Sequence, residues 1–394
     1  FIIVGIRYGI FTPTEAGAIT GLYTIVVGKF AYRSLRLRDL PLILKETALD
    51  TSSVMMMICA ASAFGFYLAW ERIPPQLASW LAALGDLPGG TLISAATYDA
   101  ALVDVVKRFQ ARHGLATDGV IGPATAKALA VPAAARVRQI ELALERLRWI
   151  PALESGRVVF VNIPAFELWA FDGIEPASAS SVQMAVVVGR ALRTQTPVFT
   201  GVMKTVVFAP YWNVPRSIIR NEILAKQARN PGYIASQNME IVSGGTALGT
   251  SAEAIAQLAS GGAQLRQRPG SKNALGRVKF LFPNSNNVYL HDTPTQSVFQ
   301  QARRDFSHGC VRLAAPAALA RWVLEPEGWD AERVERGLAL KTETHVPLQN
   351  PIPVVIHYTT AVARADGTIS FYEDIYRHDA ALERALAAGY PYSR

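Results

Sequence analysis

The residues best suited to chemistry in this chain lie around one cysteine, Cys310. His308 stands two residues before it, and His291 stands nineteen residues before it, at the end of a hydrophobic segment. A thiol needs a base to become a nucleophile, and imidazole titrates in the range that this role requires. The spacing allows either histidine to be that base. Gly309 permits unusual backbone angles and close approach of a substrate to main-chain N–H groups, the usual material of an oxyanion hole. The pattern indicates nucleophilic catalysis by a thiol.

The chain has two cysteines, too few for a disulfide scaffold or a four-thiolate zinc site. Cys59 lies in an apolar segment, where cysteine behaves as a small apolar residue. Residue statistics alone favour burial for Cys310 as well, but the histidines and the glycine beside it favour a reactive thiol. A metal site of His291, His308 and Cys310 is the weaker alternative, because it lacks a fourth ligand and a familiar zinc spacing. No cofactor is expected, since no nucleotide-binding glycine loop is present.

These residues lie in two short motifs, His291–Pro294 (HDTP) and Ser307–Arg312 (SHGCVR), which resemble the signature of YkuD-type L,D-transpeptidases. The resemblance is to the large Gram-negative branch in particular, which combines the catalytic domain with a peptidoglycan-binding module and a capping insertion. It covers about residues 84–390. Supporting similarity is found in Trp212–Ile218, Asn230–Val242, Asn273–Asn284 and His357–Tyr376.

The resemblance implies a role for each residue of the two motifs. Cys310 would be the nucleophile and His291 the proton donor and acceptor, oriented by a main-chain carbonyl rather than by a carboxylate. Asp292 invites a Cys–His–Asp triad, but adjacent residues of a strand point to opposite faces, so we expect its side chain to be structural. The site would be shaped by Ser307, His308, Gly309 and Arg312.

The activity that the resemblance implies is acyl transfer on the stem peptides of peptidoglycan. The thiolate would attack the carbonyl between the third residue, usually a diaminopimelate, and the terminal D-Ala of a tetrapeptide stem. Main-chain N–H groups near Gly309 and Cys310 would hold the oxyanion, and an amine of a second stem would complete a 3→3 cross-link. The alternatives are hydrolysis by water, attachment of a lipoprotein, and wall binding without catalysis. Nucleic acid is not an expected partner.

The elements that must position these residues are strands, because apolar residues recur with a period of two from Arg157 onwards. An interruption at Arg216–Arg268 has weak periodicity and predicts a helical, loop-rich insertion that acts as a lid. The expected fold class is a mainly β catalytic domain, a YkuD-like β-sandwich or mixed sheets with a helical capping insertion. The predicted strands are Arg157–Ile163, Phe166–Phe171, Ser181–Gly189, Met203–Pro210, Arg277–Phe282, Asn287–Asp292, Pro353–Val362 and Thr368–Tyr372.

A small all-α domain is predicted before the strands. Tyr98–Val131 reads as helix, loop and helix, and its segment Phe109–Thr125 (FQxxxGLxxDGVIGPxT) resembles peptidoglycan-binding modules. A DNA-reading helix-turn-helix is disfavoured because the second helix has Lys127 as its only basic residue. Pro132–Trp149 predicts an amphipathic connector helix that faces the core through Val137, Ile140, Leu144 and Leu147.

The hydrophobicity of the chain is concentrated at its front, where a helical membrane segment is expected. Thr51–Trp70 has twenty consecutive uncharged residues, enough to cross the hydrocarbon core. Tyr8–Gly28 is equally compatible with a span or a buried helix, because it contains Glu15. The basic residues of Lys29–Asp50 favour the cytoplasmic side. The catalytic part would then lie in the periplasm, anchored to the inner membrane.

Four front segments resemble the large membrane subunit of TRAP-type dicarboxylate transporters: Gly9–Ile19, Lys29–Pro41, Ala61–Gly65 and Ile73–Leu81. A transport path needs many more spans, so residues 1–84 cannot transport alone. They form either a natural fusion that serves as an anchor or an artificial join of two reading frames. We favour the artificial join. The genomic sequence across Leu84–Gly90 distinguishes the two. No Met precedes Phe1, so the natural start is expected upstream.

The net charge of +8 belongs mainly to the part behind this fragment, because residues 1–90 contain seven Lys/Arg and six Asp/Glu. A basic enzyme suits a wall polymer that carries carboxylates. The predicted divisions are a membrane fragment at 1–84, the peptidoglycan-binding-like module at 85–131, the connector at 132–155, the catalytic domain at 156–345 with its capping insertion at 216–268, and C-terminal strands and a helix at 346–394 that complete the catalytic region.

Overall fold

The computed structural model describes residues 13–32, 39–70, 100–153, 156–173, 180–192 and 194–389. The chain forms two compact units, Phe1–Asp99 and Ala100–Arg394. The TRAP-like segment Ile73–Leu81 and the predicted linker Leu84–Gly90 lie outside the described residues.

In its described residues, the first unit forms the helices α1 (Pro13–Phe30) and α2 (Leu40–Trp70). α2 begins well before the predicted span at Thr51, because Pro41 suits a first helical turn and the residues behind it are good helix formers. Within the described residues, neither helix combines the length and the apolar character that crossing a membrane requires. The predicted membrane spans are therefore not supported, and Cys59 is exposed.

The second unit starts with the predicted helix, loop and helix, α3 (Ala100–Arg112) and α4 (Pro123–Leu129), followed by α5 (Ala133–Leu147). The buried side chain of Gln110 holds the loop together. Its amide nitrogen donates to Asp118 Oδ1 at 2.8 Å, and its amide oxygen accepts from the Gly119 N–H at 2.8 Å. The side chain of Gln110 thus supplies hydrogen bonds to the turn that joins the two helices.

The core-facing stripe predicted for α5 is largely wrong. Val137, Leu144 and Leu147 are 55%, 57% and 49% exposed. The opposite face is buried because its polar residues find specific partners there: Arg146 pairs with Asp379, and the amide of Gln139 donates to the carbonyls of Thr360 and Tyr372. Hydrogen bonding outweighed apolar periodicity in orienting this helix.

The mainly β character of the catalytic region is confirmed. The strands are β1 Val158–Asn162, β2 Glu167–Phe171, β3 Val182–Gly189, β4 Phe199–Phe208, β5 Trp212–Asn213, β6 Met239–Ser243, β7 Thr246–Ala247, β8 Gln264–Gln267, β9 Val278–Leu281, β10 Leu290–His291, β11 Asp305–Ser307, β12 Val311–Leu313, β13 Thr344–His357, β14 Ala361–Ala363 and β15 Ile369–Phe371.

A mixed sheet of nine strands dominates the described residues of the second unit, in the order β11-β3-β12-β10-β9-β4-β13-β1-β2. β3 also pairs with β2, so the sheet closes on itself. The pairs β1–β13, β10–β12 and β11–β3 are parallel, and the other pairs are antiparallel. Its interior is a large apolar core that includes Val161, Phe208, Phe280 and Ile356, each fully buried.

Several strands, β4 among them, differ from their predicted bounds, and for two of them the reason is identifiable. β13 begins at Thr344 and crosses the predicted division at residue 345, although it contains three prolines, because its register shifts between Pro347 and Ile352. Prolines are tolerated at such irregularities. β10 keeps only two of the six predicted residues, because Asn287 has a φ of +53° and the side chain of Asn284 closes the preceding turn.

The insertion at 216–268 is not only helical. With β5 it forms a second sheet in the order β5-β8-β6-β7, beside its own apolar cluster around Ile234, Ile241 and Leu265. Weak periodicity hid these strands, because Glu240 is buried as the partner of two arginines. The remaining helices are α6 Arg216–Ile218, a π-helical turn Ile219–Ile223, α7 Leu224–Arg229, α8 Tyr233–Ser236, α9 Ala252–Ser260, α10 Pro316–Leu324, α11 Ala331–Leu338 and α12 His378–Ala387.

Candidate active site

Two short parallel strands place the candidate residues on one face of the large sheet. In the β10–β12 pair, His291 lies opposite Arg312 and Leu290 lies opposite Val311. Leu290 and Val311 are fully buried in the core. Since side chains alternate along a strand, the residues next to them face the other way. Tyr289, His291, Cys310 and Arg312 therefore share the face that points away from the core.

These side chains line a cavity of about 690 Å³. Its other wall comes from the insertion and from β5, including Trp212, Ile218, Tyr233 and Met239. Pockets of this size are typical of small-molecule and peptide side-chain sites. The insertion therefore caps the candidate nucleophile, as a lid would.

The Cys310 side chain is a thiol rather than a thiolate in the resting site. Burial raises the pKa of Cys310 above its usual range, and hydrogen bonding from Tyr289 and the charge of Arg312 oppose this rise. The sulfur also lies 3.7 Å from the main-chain oxygen of Asn287, to which the thiol donates. A base is therefore needed to take the thiol proton at the moment of attack.

His291 is suited to be that base. Its Nδ1 lies 2.5 Å from the main-chain oxygen of Asp292. A carbonyl only accepts, so Nδ1 carries the proton and Nε2 is left with a free lone pair. Burial, with help from the charge of Arg312, lowers the pKa of His291 to about 3, so the ring is neutral at ordinary pH. Among the described residues, no hydrogen bond joins His291 to Cys310. Catalytic hydrogen bonds are often long or unformed in active sites without a ligand.

The carboxylate of Asp292 faces away from His291. It accepts from the N–H groups of Arg277 at 2.9 Å and Thr293 at 2.7 Å. Asp292 thus contributes its main-chain carbonyl to the histidine and uses its side chain to hold the neighbouring turn.

Ser307 and Gly309 determine the shape of the turn before the cysteine. Ser307 Oγ donates to the carbonyl of Cys310 at 2.6 Å and accepts from the Gly309 N–H at 3.1 Å. Gly309 has a φ of +113°, which side chains rarely allow. Because the Gly309 N–H already has a partner, the expectation that it helps to hold the oxyanion does not fit this geometry. The Cys310 N–H is the main-chain donor nearest the sulfur.

His308 points to the insertion. Its Nε2 donates to Glu222 at 2.7 Å, and Lys226 lies 3.7 Å from the same carboxylate. This contact connects the turn before Cys310 to the capping insertion. It gives His308 a partner other than the thiol and leaves His291 as the better placed base.

The structure adds residues that sequence reasoning missed. The Tyr289 hydroxyl lies beside the Cys310 thiol and lowers its pKa, and the signal was its position two residues before His291 on the same strand face. Thr196 is fully buried, and its hydroxyl donates to the Gly309 carbonyl at 2.9 Å and accepts from the Gly189 N–H at 2.9 Å. It stands 113 residues from Gly309 in the sequence, so no local pattern could reveal it.

The described residues offer no evident set of metal ligands. In the parts of the chain that the structure describes, no three His, Cys, Asp or Glu side chains come together as a metal site would require. The alternative metal site of His291, His308 and Cys310 is not assembled, since His308 turns towards Glu222.

The free energy of unfolding is expected to fall as the pH drops from 7 to 5. Burial lowers the pKa of His291 to about 3 and those of His113 and His357 to about 4. The unfolded chain binds these protons below about pH 6.5 while the folded chain does not. Each of these histidines then lowers the free energy of unfolding by up to about 1.4 kcal/mol per pH unit. Urea unfolding at pH 7, 6 and 5 measures the slope.

Two variants control this prediction. His113→Phe removes a buried imidazole that is stacked 3.8 Å from the ring of Phe109, and it should reduce the pH slope by about a third. His345→Gln changes a half-exposed imidazole and should leave the slope as it is in the wild type. Identical slopes for all three proteins would contradict the prediction.

Replacement of Tyr289 by phenylalanine is expected to slow alkylation of Cys310 by iodoacetamide by about 10- to 100-fold near neutral pH. The hydroxyl lies beside the thiol and lowers its pKa, and a hydrogen bond donated to the thiolate would contribute about 1.5–3 kcal/mol. The rate measured against pH should also show a raised pKa for the thiol. Tyr233→Phe, at the opposite wall of the same cavity, is the matched control and should react as the wild type does.

Comparison with known proteins gives matches to three different parts of the chain. The YkuD family model, described as the L,D-transpeptidase catalytic domain, matches residues 156–356. The model described as "Putative peptidoglycan binding domain" matches residues 75–129, and that of the tripartite ATP-independent periplasmic transporter DctM component matches residues 1–98. The last two matches overlap at residues 75–98. The resemblances seen in the sequence are all confirmed.

Individual relatives show the same division. A Haemophilus influenzae protein named "Putative L,D-transpeptidase" is 33% identical over 63% of this chain and 49% of its own length. The Pseudomonas aeruginosa C4-dicarboxylate TRAP transporter large permease protein DctM is 41% identical over 22% of this chain and 20% of its own length. This chain thus spans about half of the first relative and a fifth of the second.

Among solved structures, an L,D-transpeptidase from Stackebrandtia nassauensis is 14% identical, covers 71% of this chain and 87% of its own chain, and gives a TM-score of 0.28. That score is too low to support an argument about this chain.

Proposed function

Since the chain belongs to the YkuD family of L,D-transpeptidase catalytic domains, we propose that it transfers acyl groups between peptidoglycan stem peptides through a thioester on Cys310. The proposal depends on one observation. Cys310, Tyr289, His291 and Arg312 lie on one sheet face inside a capped cavity. A thiol, a neutral base, a hydrogen-bond donor and a cation are the groups that such a transfer needs.

The first half-reaction forms the thioester. His291 Nε2 takes the proton of the Cys310 thiol, and the sulfur attacks the carbonyl carbon that joins the third stem residue to the terminal D-Ala. The Tyr289 hydroxyl stabilises the developing thiolate, and the Cys310 N–H donates to the oxyanion. The C–N bond then breaks as His291 returns its proton to the departing amine. D-Ala leaves with that proton.

The second half-reaction forms the cross-link. A side-chain amine of another stem attacks the thioester, His291 accepts its proton, and the C–S bond breaks as the sulfur is reprotonated. The product is a 3→3 cross-link. The insertion covers the cavity, with His308 and Glu222 joined at 2.7 Å, and this cover disfavours water as the competing acceptor.

The other parts of the chain fit a wall enzyme. We propose that α3 and α4 belong to a peptidoglycan-binding module, with the division at 85–131, and that the catalytic region acts in the periplasm. Membrane anchoring is not included, since no described helix supports it. Residues 156–345, with the capping insertion at 216–268 and the C-terminal strands and helix at 346–394, form the proposed catalytic region.

The experiment that tests the function is incubation of the full chain with purified disaccharide tetrapeptides, followed by mass spectrometry of the products. The expected product is a dimer that has lost one D-Ala. Monomeric tripeptides alone would show a hydrolase. Retention on sacculi without any product, in the wild type as in Cys310→Ala, would show a binding protein. Either of the last two results overturns the proposal.

A further inference from the structure

A second cavity of about 770 Å³ lies away from Cys310, between the end of α5, the beginning of β4, the end of β13 and the helix α12. No residue that lines it also lines the capped cavity. The mechanism proposed above does not use it. Its volume is that of a site for a small organic ligand.

The walls of this cavity are mainly apolar. Phe199, Leu382 and Ala385 contribute to them, and two further apolar side chains that line the cavity, Trp149 and Val198, are 55% and 46% exposed. Large apolar side chains at the edge of an apolar cavity favour a ligand with a hydrophobic body. The hydrophobic effect would contribute most of its affinity.

Two buried polar groups lining the cavity lack partners. Arg146 Nη2 and His357 Nε2 have no hydrogen bond to any described residue, although the two side chains are only 4% and 7% exposed. The other terminal nitrogen of Arg146, Nη1, pairs with Asp379. Folded proteins rarely leave buried donors unpaired. Arg146 Nη2 is always a donor, and His357 Nε2 is a donor in the tautomer that carries its proton there, so the two nitrogens together match a ligand that accepts hydrogen bonds.

The charge of the lining favours an anionic head group. Among the described residues, the ionisable side chains that line the cavity are Arg146, His357, Tyr358 and His378, with no carboxylate among them; burial lowers the pKa of both histidines, so Arg146 is the lasting cation. Asp379 is engaged by Arg146 and by the hydroxyl of Thr360. An anionic acceptor complements such a lining, and a cationic one does not.

We propose that this cavity binds an amphiphile with an apolar chain and a carboxylate head. The carboxylate accepts from Arg146 Nη2 and His357 Nε2, and the chain packs against Phe199 and Leu382. This site is independent of the proposed transpeptidase reaction and stands or falls separately from it.

The test is isothermal titration calorimetry of the full chain with sodium decanoate, below the concentration at which decanoate forms micelles. Saturable one-to-one binding is expected. Decanol, which has the same chain without the charge, should bind at least about tenfold more weakly, and decyltrimethylammonium should not bind. His357→Phe should weaken decanoate binding by about tenfold.

Two tryptophan variants complete the test. Ala385→Trp fills the cavity and should abolish decanoate binding, while Ala387→Trp, on an exposed position of the same helix, should bind as the wild type does. Thermal melting and the labelling of Cys310 by a carbapenem report whether each variant is folded. Absent binding in the wild type, or equal binding by Ala385→Trp, would overturn the proposal. It is also overturned if Ala385→Trp dissociates a wild-type dimer in sedimentation, since a second copy would then occupy the cavity.

Discussion

Replacement of Cys310 by alanine is expected to abolish covalent labelling by a carbapenem and to lower transpeptidation by at least about 10⁴-fold. We expect the thiolate to open the β-lactam carbonyl of a carbapenem and form a thioester, and alanine has no atom that could do so. The thiol is partly buried and lines the capped cavity, so a reagent that enters this cavity reaches the sulfur. Intact-mass spectrometry of wild type and variant measures the adduct directly.

The second cysteine supplies the matched control. Cys59 is exposed on α2, in a segment, Thr51–Trp70, whose sequence contains no histidine. Cys59→Ala should therefore gain the same single adduct as the wild type. Equal labelling of Cys310→Ala and the wild type would refute the assignment of the nucleophile.

Replacement of His291 by glutamine is expected to lower the rate of carbapenem acylation by about 10²- to 10⁴-fold, the usual contribution of a general base. Because the pKa of Cys310 is raised, little thiolate forms without the imidazole. Since the pKa of His291 is lowered to about 3, the wild-type rate should not fall through loss of the base between pH 7 and 5. Quenched-flow mass spectrometry over this range measures both effects.

His308→Gln is the control for this prediction. His308 hydrogen-bonds to Glu222 rather than to the thiol, so its loss should lower the acylation rate by less than about tenfold. Both variants are checked by thermal melting, because His291 is only 4% exposed. If His308→Gln lost more activity than His291→Gln, the base would have to be reassigned.

Strands rich in β-branched and aromatic residues were predicted from the sequence within one or two residues. β1, β2, β3 and β9 are short apolar segments with turn residues at their ends, and local pattern suffices for such segments. β13 was predicted nine residues too late, because prolines mask its first half and only the register irregularity against β4 accommodates them.

Apolar periodicity was misleading where polar contacts decided the packing. The stripe of Val137, Leu144 and Leu147 predicted the buried face of α5, but the ion pair of Arg146 with Asp379 turned the opposite face inwards. A buried arginine requires such a partner, and the partner lies 233 residues away in the sequence. A local pattern of hydrophobicity cannot reveal a partner that lies so far away in the sequence.

The sequence by itself determined the candidate nucleophile, the turn that presents it and the two histidines that could act as its base. These features lie within one short stretch of chain, where residue type and spacing carry the chemistry. Only the tertiary structure favours one histidine over the other, because strand pairing places His291 on the face of Cys310 and His308 contacts Glu222 of the insertion. It also decided that Tyr289 reaches the sulfur and that Thr196 holds Gly309. Contacts of this kind depend on strand register and on distant segments, which no local pattern encodes.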